Sequence, residues 1–209
     1  MIIYQIYCNV VLYDILFDFV WRKDDILSKN LQNLRTERAI QNAFITLVNQ
    51  KGFNNITIGD IATEALINRQ TFYYHYQDKY QLADIMIANL VEKYDELYKN
   101  YVTTNLDKLG LSERIALLFP RTDSFWSANR QTASALFSIE LDGKTLEKEL
   151  KARFRKYLPT LLERDPLPLE STVFPAIILG VIEYVIETGQ TPSQTEIINT
   201  FSSISKTFK

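Results

Sequence analysis

Residues 68–79 read NRQTFYYHYQDK and crowd the chain's one histidine, His75, with the rings of Phe72, Tyr73, Tyr74 and Tyr76 into about two helical turns. Two chemistries compete for such a stretch: an aromatic core segment, and a surface that presses on something flat or negatively charged. On a helical wheel, Phe72 and Tyr76 fall together, four apart, and can face inward. Gln70, Tyr73 and Tyr74 lie largely opposite, with Thr71 and His75 at the margins. Two rings therefore belong to a core and two are displayed. Catalysis fits poorly. A Ser-His-Asp site would have to use His75, on an exposed helix among tyrosines, and no paired acids stand out. With Cys8 as the one cysteine beside that one histidine, a Cys/His zinc site is also disfavoured. No catalytic residue, metal or cofactor is expected.

Whether the displayed groups read bases depends on the elements that position them. The 209-residue chain is 46% hydrophobic and 23% charged, with six glycines and six prolines, a balance that favours long helices and an all-α fold. Ile40, Ala43, Phe44, Leu47 and Val48 form one apolar stripe of a helix beginning near Arg35, with Thr36 as N-cap and Gly52 as a left-handed C-cap. Thr57 and Asp60 have the spacing of a capping box, opening a short helix that buries Ile58, Ile61, Ala62 and Ala65. After a break at Leu66-Ile67, Asn68 caps a second short helix, and Asp78 with Gln81 opens a long one through Leu82, Ile85, Met86, Leu90, Tyr94, Leu97 and Tyr101. Residues 35–77 thus follow helix-turn-helix grammar with a supporting first helix. On the second helix of such a pair, Gln70 can pair with adenine, Arg69 with guanine, and the rings can meet thymine methyls. Further helices are predicted near 111–119, 124–140, 143–163, 170–188 and 193–207, with Pro159 kinking or fraying the third of these.

The stretch TIGDIATEALINRQTFYYHYQDKYQL, residues 57–82, resembles the DNA-binding signature of the tetracycline-repressor (TetR) family of transcriptional regulators. The matching positions are Thr57, Asp60-Ile61-Ala62, Thr71 through Tyr76, and Lys79, with Gly52-Phe53 ahead of them, over about residues 38–85. The resemblance implies a three-helix DNA-binding domain at 35–81 and a helical ligand-binding and dimerisation domain at 82–209. It further implies that Thr57, Thr71, Tyr73, His75 and Lys79 hold phosphates, while Arg69, Gln70 and Tyr74 lie nearest the bases. Leu66 stands where the family usually has glycine, so the turn either avoids a positive φ there or carries strain. Asn68 stands where serine is common and caps equally well. Between Arg35 and Gln81, Arg35, Arg38, Lys51, Arg69 and Lys79 face Glu37, Asp60, Glu64 and Asp78, one net positive charge. Helix N-termini at Thr57, Asn68 and Asp78 can add phosphate-binding N–H groups, and the salt dependence of binding should be shallow.

Downstream, Val173 to Ile186 is apolar over more than one face, too broad for a helix with a single neighbour. By the resemblance the last two helices form a homodimer, with Phe174, Ile178, Val181, Ile182, Val185, Ile197 and Phe201 at its interface. Phe119, Phe125, Trp126, Phe137, Phe154 and Tyr157 are bundle core by their composition, and by resemblance they can line a pocket for an unidentified small-molecule effector. The expected function is a ligand-responsive repressor binding a near-palindromic double-stranded DNA operator. The alternative is a helical adaptor of the same fold that binds a protein; low basic charge leaves it open, and the retained phosphate-contact positions oppose it.

Residues 1–34 stand apart. The opening MIIYQIYCNVVLYDILFDFVW is apolar, yet Asp14 and Asp18 interrupt it, each costing about 2.5–3.5 kcal/mol at a membrane centre. It has no basic start and no cleavage site. A packed extra helix, a weak anchor, and residues upstream of a true start near Leu27 or Leu31 are three readings, of which the last is the expectation. No membrane partner is expected, and a lone cysteine suits a reducing cytoplasm.

Overall fold

Local caps punctuate a succession of helices in the computed structural model, which describes residues 30–102, 124–193, 195–197, 199, 200 and 203. The helices are α1 (residues 30–51), α2 (Ile58–Glu64), α3 (Arg69–His75), α4 (Lys79–Val102), α5 (Arg130–Phe137), α6 (Leu146–Leu162) and α7 (Glu170–Thr188). The all-α expectation holds, apart from one two-stranded hairpin among the described residues. Because no breaker precedes Arg35, α1 begins earlier than predicted. Thr36 is an interior residue rather than an N-cap, its hydroxyl donating back to the Gln32 carbonyl at 3.0 Å. Gly52 ends α1, but at φ +79° and ψ 149° rather than in the left-handed helical conformation expected of a C-cap, an extended positive-φ backbone that essentially only glycine adopts. Phe53 then folds onto Phe44, ring centroids 6.1 Å apart.

The predicted helix at 124–140 is divided. Residues 124–128 are helical, α5 follows, and at Glu140 the chain turns into an antiparallel hairpin pairing Glu140 with Thr145 and Leu141 with Lys144. Asp142 and Gly143 form its turn at φ 48° and 80°, the positive pair that a tight hairpin requires. Thr145 leaves the hairpin as the N-cap of α6, accepting from the Lys148 N–H at 3.2 Å. Helix α6 runs through Pro159 to Leu162. Helix α7 ends at Gly189, where Arg130 of α5 donates to the carbonyls of Ile186 at 2.6 Å and Glu187 at 2.8 Å. These are carbonyls that a helix end leaves without a partner of its own.

One apolar core runs from Ile40 and Phe44 of α1, through Phe72 of α3 and Leu82, Ile87 and Tyr94 of α4, to Leu136, Leu146, Phe154 and Ile182. Within it Trp126 and Phe154 pack on Tyr94, at 5.1 and 5.7 Å between ring centroids. Phe125 is half-buried against the same ring at 5.5 Å, and Phe137 is half-buried against the core. The predicted effector-pocket rings do not gather around one recess among the described residues. A small apolar recess of about 240 Å³, open mouth included, is lined by Tyr98, Phe154, Leu158, Leu161, Phe174, Pro175 and Ile178. Of the predicted lining only Phe154 reaches it: Phe125 and Trp126 pack on each other, Phe137 packs against the core, and Tyr157 packs on Tyr98 and Asp95. Phe119 lies outside the described residues.

Helix α7 is apolar enough by length and composition to cross a membrane, with a mean hydropathy of 1.5. It packs on α5 and α6, burying Leu179, Ile182, Val185 and Ile186. Ile182 and Val185 were expected at a subunit interface; they are instead core of their own chain, since a helix apolar all round does not declare its inward face. Phe174 and Ile178 are half-buried against their own chain. Val181 and Ile197 line an outer groove with Ile177, Gly180, Tyr184 and Pro192, while Phe201 lies outside the described residues.

Asp95 of α4 is the one buried charged residue among those described, 3% exposed. The Tyr157 hydroxyl of α6 donates to one carboxylate oxygen at 2.5 Å, and the Lys99 ammonium binds the other at 2.7 Å. Burial alone raises the Asp95 carboxyl, but the bonds from Lys99 and Tyr157 outweigh it and leave the group below its ordinary 3.8. Burial, then Asp95, pushes Tyr157 from 10.0 up to about 12. A depressed folded acid stabilises above its unfolded value and loses that contribution as pH falls. A raised tyrosine holds its contribution until pH climbs from about 10 towards 12. Replacing Tyr157 by Phe is predicted to cost about 1.5–3 kcal/mol in urea denaturation at neutral pH. The deficit should stay constant from about pH 5 to 9 and shrink below about pH 4, as Asp95 protonates in both proteins.

Candidate nucleic-acid interface

Helices α2 and α3 have seven residues each and are fastened at both ends. The capping box forms as the sequence predicts: the Asp60 N–H donates to the Thr57 hydroxyl oxygen at 3.1 Å, and the Thr57 N–H donates to the Asp60 carboxylate at 2.8 Å. The Thr57 hydroxyl also donates to that carboxylate at 2.6 Å. These Thr57 bonds lower the Asp60 carboxyl, with smaller help from the charges of Lys51 and Arg69. Asn68 caps α3, accepting from the Thr71 N–H at 2.7 Å and from the Thr71 hydroxyl at 2.9 Å. The turn between the helices keeps the glycine-like geometry despite Leu66, which adopts φ +56° with its side chain 92% exposed. Strain, rather than a rerouted turn, is the outcome at this position.

The helical-wheel assignment of α3 holds. Phe72 is fully buried and Tyr76 is 3% exposed, whereas Tyr73 and Tyr74 are 56% and 75% exposed. Arg69 and Gln70 are also exposed. The Tyr76 hydroxyl bolts the end of α3 to α1, donating to Glu37 at 3.3 Å and accepting from Gln41 at 3.1 Å. Burial, with Gln41 opposing and Glu37 adding, raises this tyrosine to about 12. Gln70, Thr71, Tyr74 and His75 line an open polar groove shared with Gln32, Asn33 and Thr36 of α1. Their presence there follows from the early start of α1 and was not predicted.

The eight predicted DNA-contact residues thus separate into two groups. Arg69, Gln70, Tyr73 and Tyr74 project outward, and half-buried His75 edges the groove. Thr57 and Thr71 have their hydroxyl hydrogens engaged within the motif. Lys79 is the clearest correction. Its ammonium donates to the backbone carbonyls of Phe53 at 2.9 Å, Ile56 at 2.9 Å and Asn54 at 3.4 Å, and it stands 4.8 Å from the Phe53 ring centroid. All three N–H donors close the loop between α1 and α2, and a side-chain grip on phosphate would break them. No sequence pattern announces carbonyls 23–26 residues away.

Residues 42–85 match the family model described as bacterial regulatory proteins, tetR family. No curated protein matches the sequence. Among solved structures, a TetR-family transcriptional regulator from Syntrophomonas wolfei is similar at 17% identity and a TM-score of 0.58, over 84% of this chain and 95% of that one. A transcriptional regulator of the TerR/AcrR family from Aquifex aeolicus is similar at 17% identity and a TM-score of 0.55, over 83% and 99%. A TetR transcriptional regulator from Streptococcus agalactiae is similar at 17% identity and a TM-score of 0.55, over 86% and 98%. At these identities the likeness is one of fold.

Two substitutions test this geometry. Lys79→Met is predicted to lower stability by about 1.5–3 kcal/mol in chemical denaturation, because it strands carbonyls that now receive a charged donor; an unchanged midpoint would remove its structural role. Leu66→Gly is predicted to raise stability by about 0.5–1 kcal/mol, the relief of left-handed strain partly offset by glycine's greater freedom when unfolded.

Proposed function

We propose that the chain, whose residues 42–85 match the family of bacterial regulatory proteins, tetR family, is a DNA-binding, ligand-responsive repressor that binds a near-palindromic operator as a homodimer. The observation that carries this reading is the division of α3. Phe72 and Tyr76 fasten the helix to the core while Arg69, Gln70, Tyr73 and Tyr74 are left outward on one short element. That is the side-chain set a major groove accepts, with donors and acceptors for base edges and rings for methyls and sugars. Two copies related by a two-fold axis place one such helix on each half-site.

The outer face of α7, with Val173, Ile177, Val181 and Tyr184, supports the dimer in place of the buried residues first assigned to it. Helix α4 runs from the reading head into the remainder of the chain, so a ligand that favours one placement of α4 also sets the spacing of two reading heads. The apolar recess lined by Phe154 and Phe174 encloses about 10 Å³, far below the roughly 300–1,000 Å³ of a usual ligand pocket. An effector therefore has to open it or to enlist residues beyond those described.

Binding of the purified chain to duplex DNA, followed by fluorescence anisotropy across a salt series, tests the proposal. A specific duplex is expected, with a shallow salt slope, and Tyr74→Ala should weaken it by about tenfold or more without lowering the melting temperature. A folded dimer that prefers no sequence in a random library would favour the protein-binding adaptor.

A further inference from the structure

Gly59, the second residue of α2, has ordinary helical backbone: it is not among the described positions with positive φ. Its backbone therefore gives no reason for glycine, and helix propensity argues against it. Space gives the reason. A Cβ at this position would lie 2.5 Å from Nη2 of Arg69, 3.1 Å from Cζ and 3.2 Å from Nε, so the guanidinium of α3's first residue rests directly on the bare backbone of α2. Among the described residues no hydrogen bond or ion pair engages that guanidinium. Its seat is shaped by the bare backbone of Gly59, the charge of Asp60 attracts it without a hydrogen bond, and its five N–H donors stay available. The contrast with Lys79, whose donors all end on carbonyls of its own chain, is plain.

We propose that Gly59 is a specificity-determining position of the DNA interface: its missing side chain seats the Arg69 guanidinium across α2, and from that seat Arg69 reads one guanine in each half-site. The inference rests on the DNA-reading function proposed above. An arginine fork pairs with O6 and N7 of guanine only when its plane and approach are set, and a side chain arriving over α2 meets a different base from one projecting along α3. The contacts of Gln70 and Tyr74, on the exposed side of α3, are separate from it. Any β-carbon at residue 59 keeps the helix and evicts the guanidinium.

The test is selection of binding sites from a random duplex library by the full chain, with Gly59→Ala, Arg69→Ala, Arg69→Lys and the Gly59→Ala/Arg69→Ala pair beside wild type. Gly59→Ala is expected to melt no lower than wild type, to select a related site, and to lose about tenfold or more of the preference for guanine at one position per half-site. Arg69→Ala should flatten the same position, and the double variant should add nothing to it. Arg69→Lys, which keeps the charge and loses the fork, should lose the guanine while keeping the salt slope. Unaltered base preference in Gly59→Ala overturns the proposal. So does a uniform weakening in Arg69→Ala with a smaller salt slope, the mark of a phosphate contact. A wild-type chain that selects no sequence overturns the DNA-reading itself, a result distinct from either.

Discussion

Burial of Phe72 is the interaction on which the reading surface depends. A helix shorter than about 12–15 residues is marginal in water, and α2 and α3 have seven residues each. Neither holds its shape alone. Phe72, with no exposed surface, and Tyr76 behind it fix α3 against the rest of the head, and every displayed side chain of α3 takes its direction from that attachment. The caps at Thr57 and Asn68 trim the ends of the two helices, but the driving term is apolar area removed from water. Tyr76 adds a second function, because its hydroxyl meets Glu37 and Gln41 and so fixes α3 relative to α1 as well.

Around that anchor the polar groups divide by the fate of their donors. Thr57, Thr71 and Lys79 face inward chemically, engaged with Asp60, Asn68 and three carbonyls. Arg69 and Gln70 face outward. A head with one net positive charge between Arg35 and Gln81 has few cations to offer DNA, and one of the five, Lys79, is occupied. Affinity in such a surface leans on shape and uncharged donors, whose contribution survives salt better than ion pairing does.

The head was legible in the sequence because its rules are local. Capping boxes, the glycine after α1 and the two-faced wheel of α3 are all decided within about five residues of where they act. Where the reading erred, the deciding contact lay elsewhere. Thr36 looks like a cap, but α1 starts earlier because nothing before it stops the helix. Asp142-Gly143 is a hairpin signal at the junction of the two helices predicted at 124–140 and 143–163. The inward face of α7 is chosen by α5 and α6, not by its own uniformly apolar surface, so Ile182 and Val185 were placed outside when they belong within. The Asp95–Tyr157 bond joins residues 62 apart, and the Gly59 seat is defined by what it lacks.

The grip of Lys79 on the loop after α1 carries a mechanical consequence. Lys79 is the first residue of α4, while Asp95, sixteen positions on along the same helix, is bound to α6. Helix α4 is therefore pinned at two points along a rigid rod. The near pin sits beneath the loop that leads into α2, and the far pin is made by the carboxylate. Sliding the far end moves the near end by the same amount, since a helix compresses little, whereas tilting it about the carboxylate swings the loop and α2 through an arc. The reading head rides on a lever whose fulcrum is the hydrogen bond from Tyr157 to the buried Asp95 carboxylate and whose working end is a lysine.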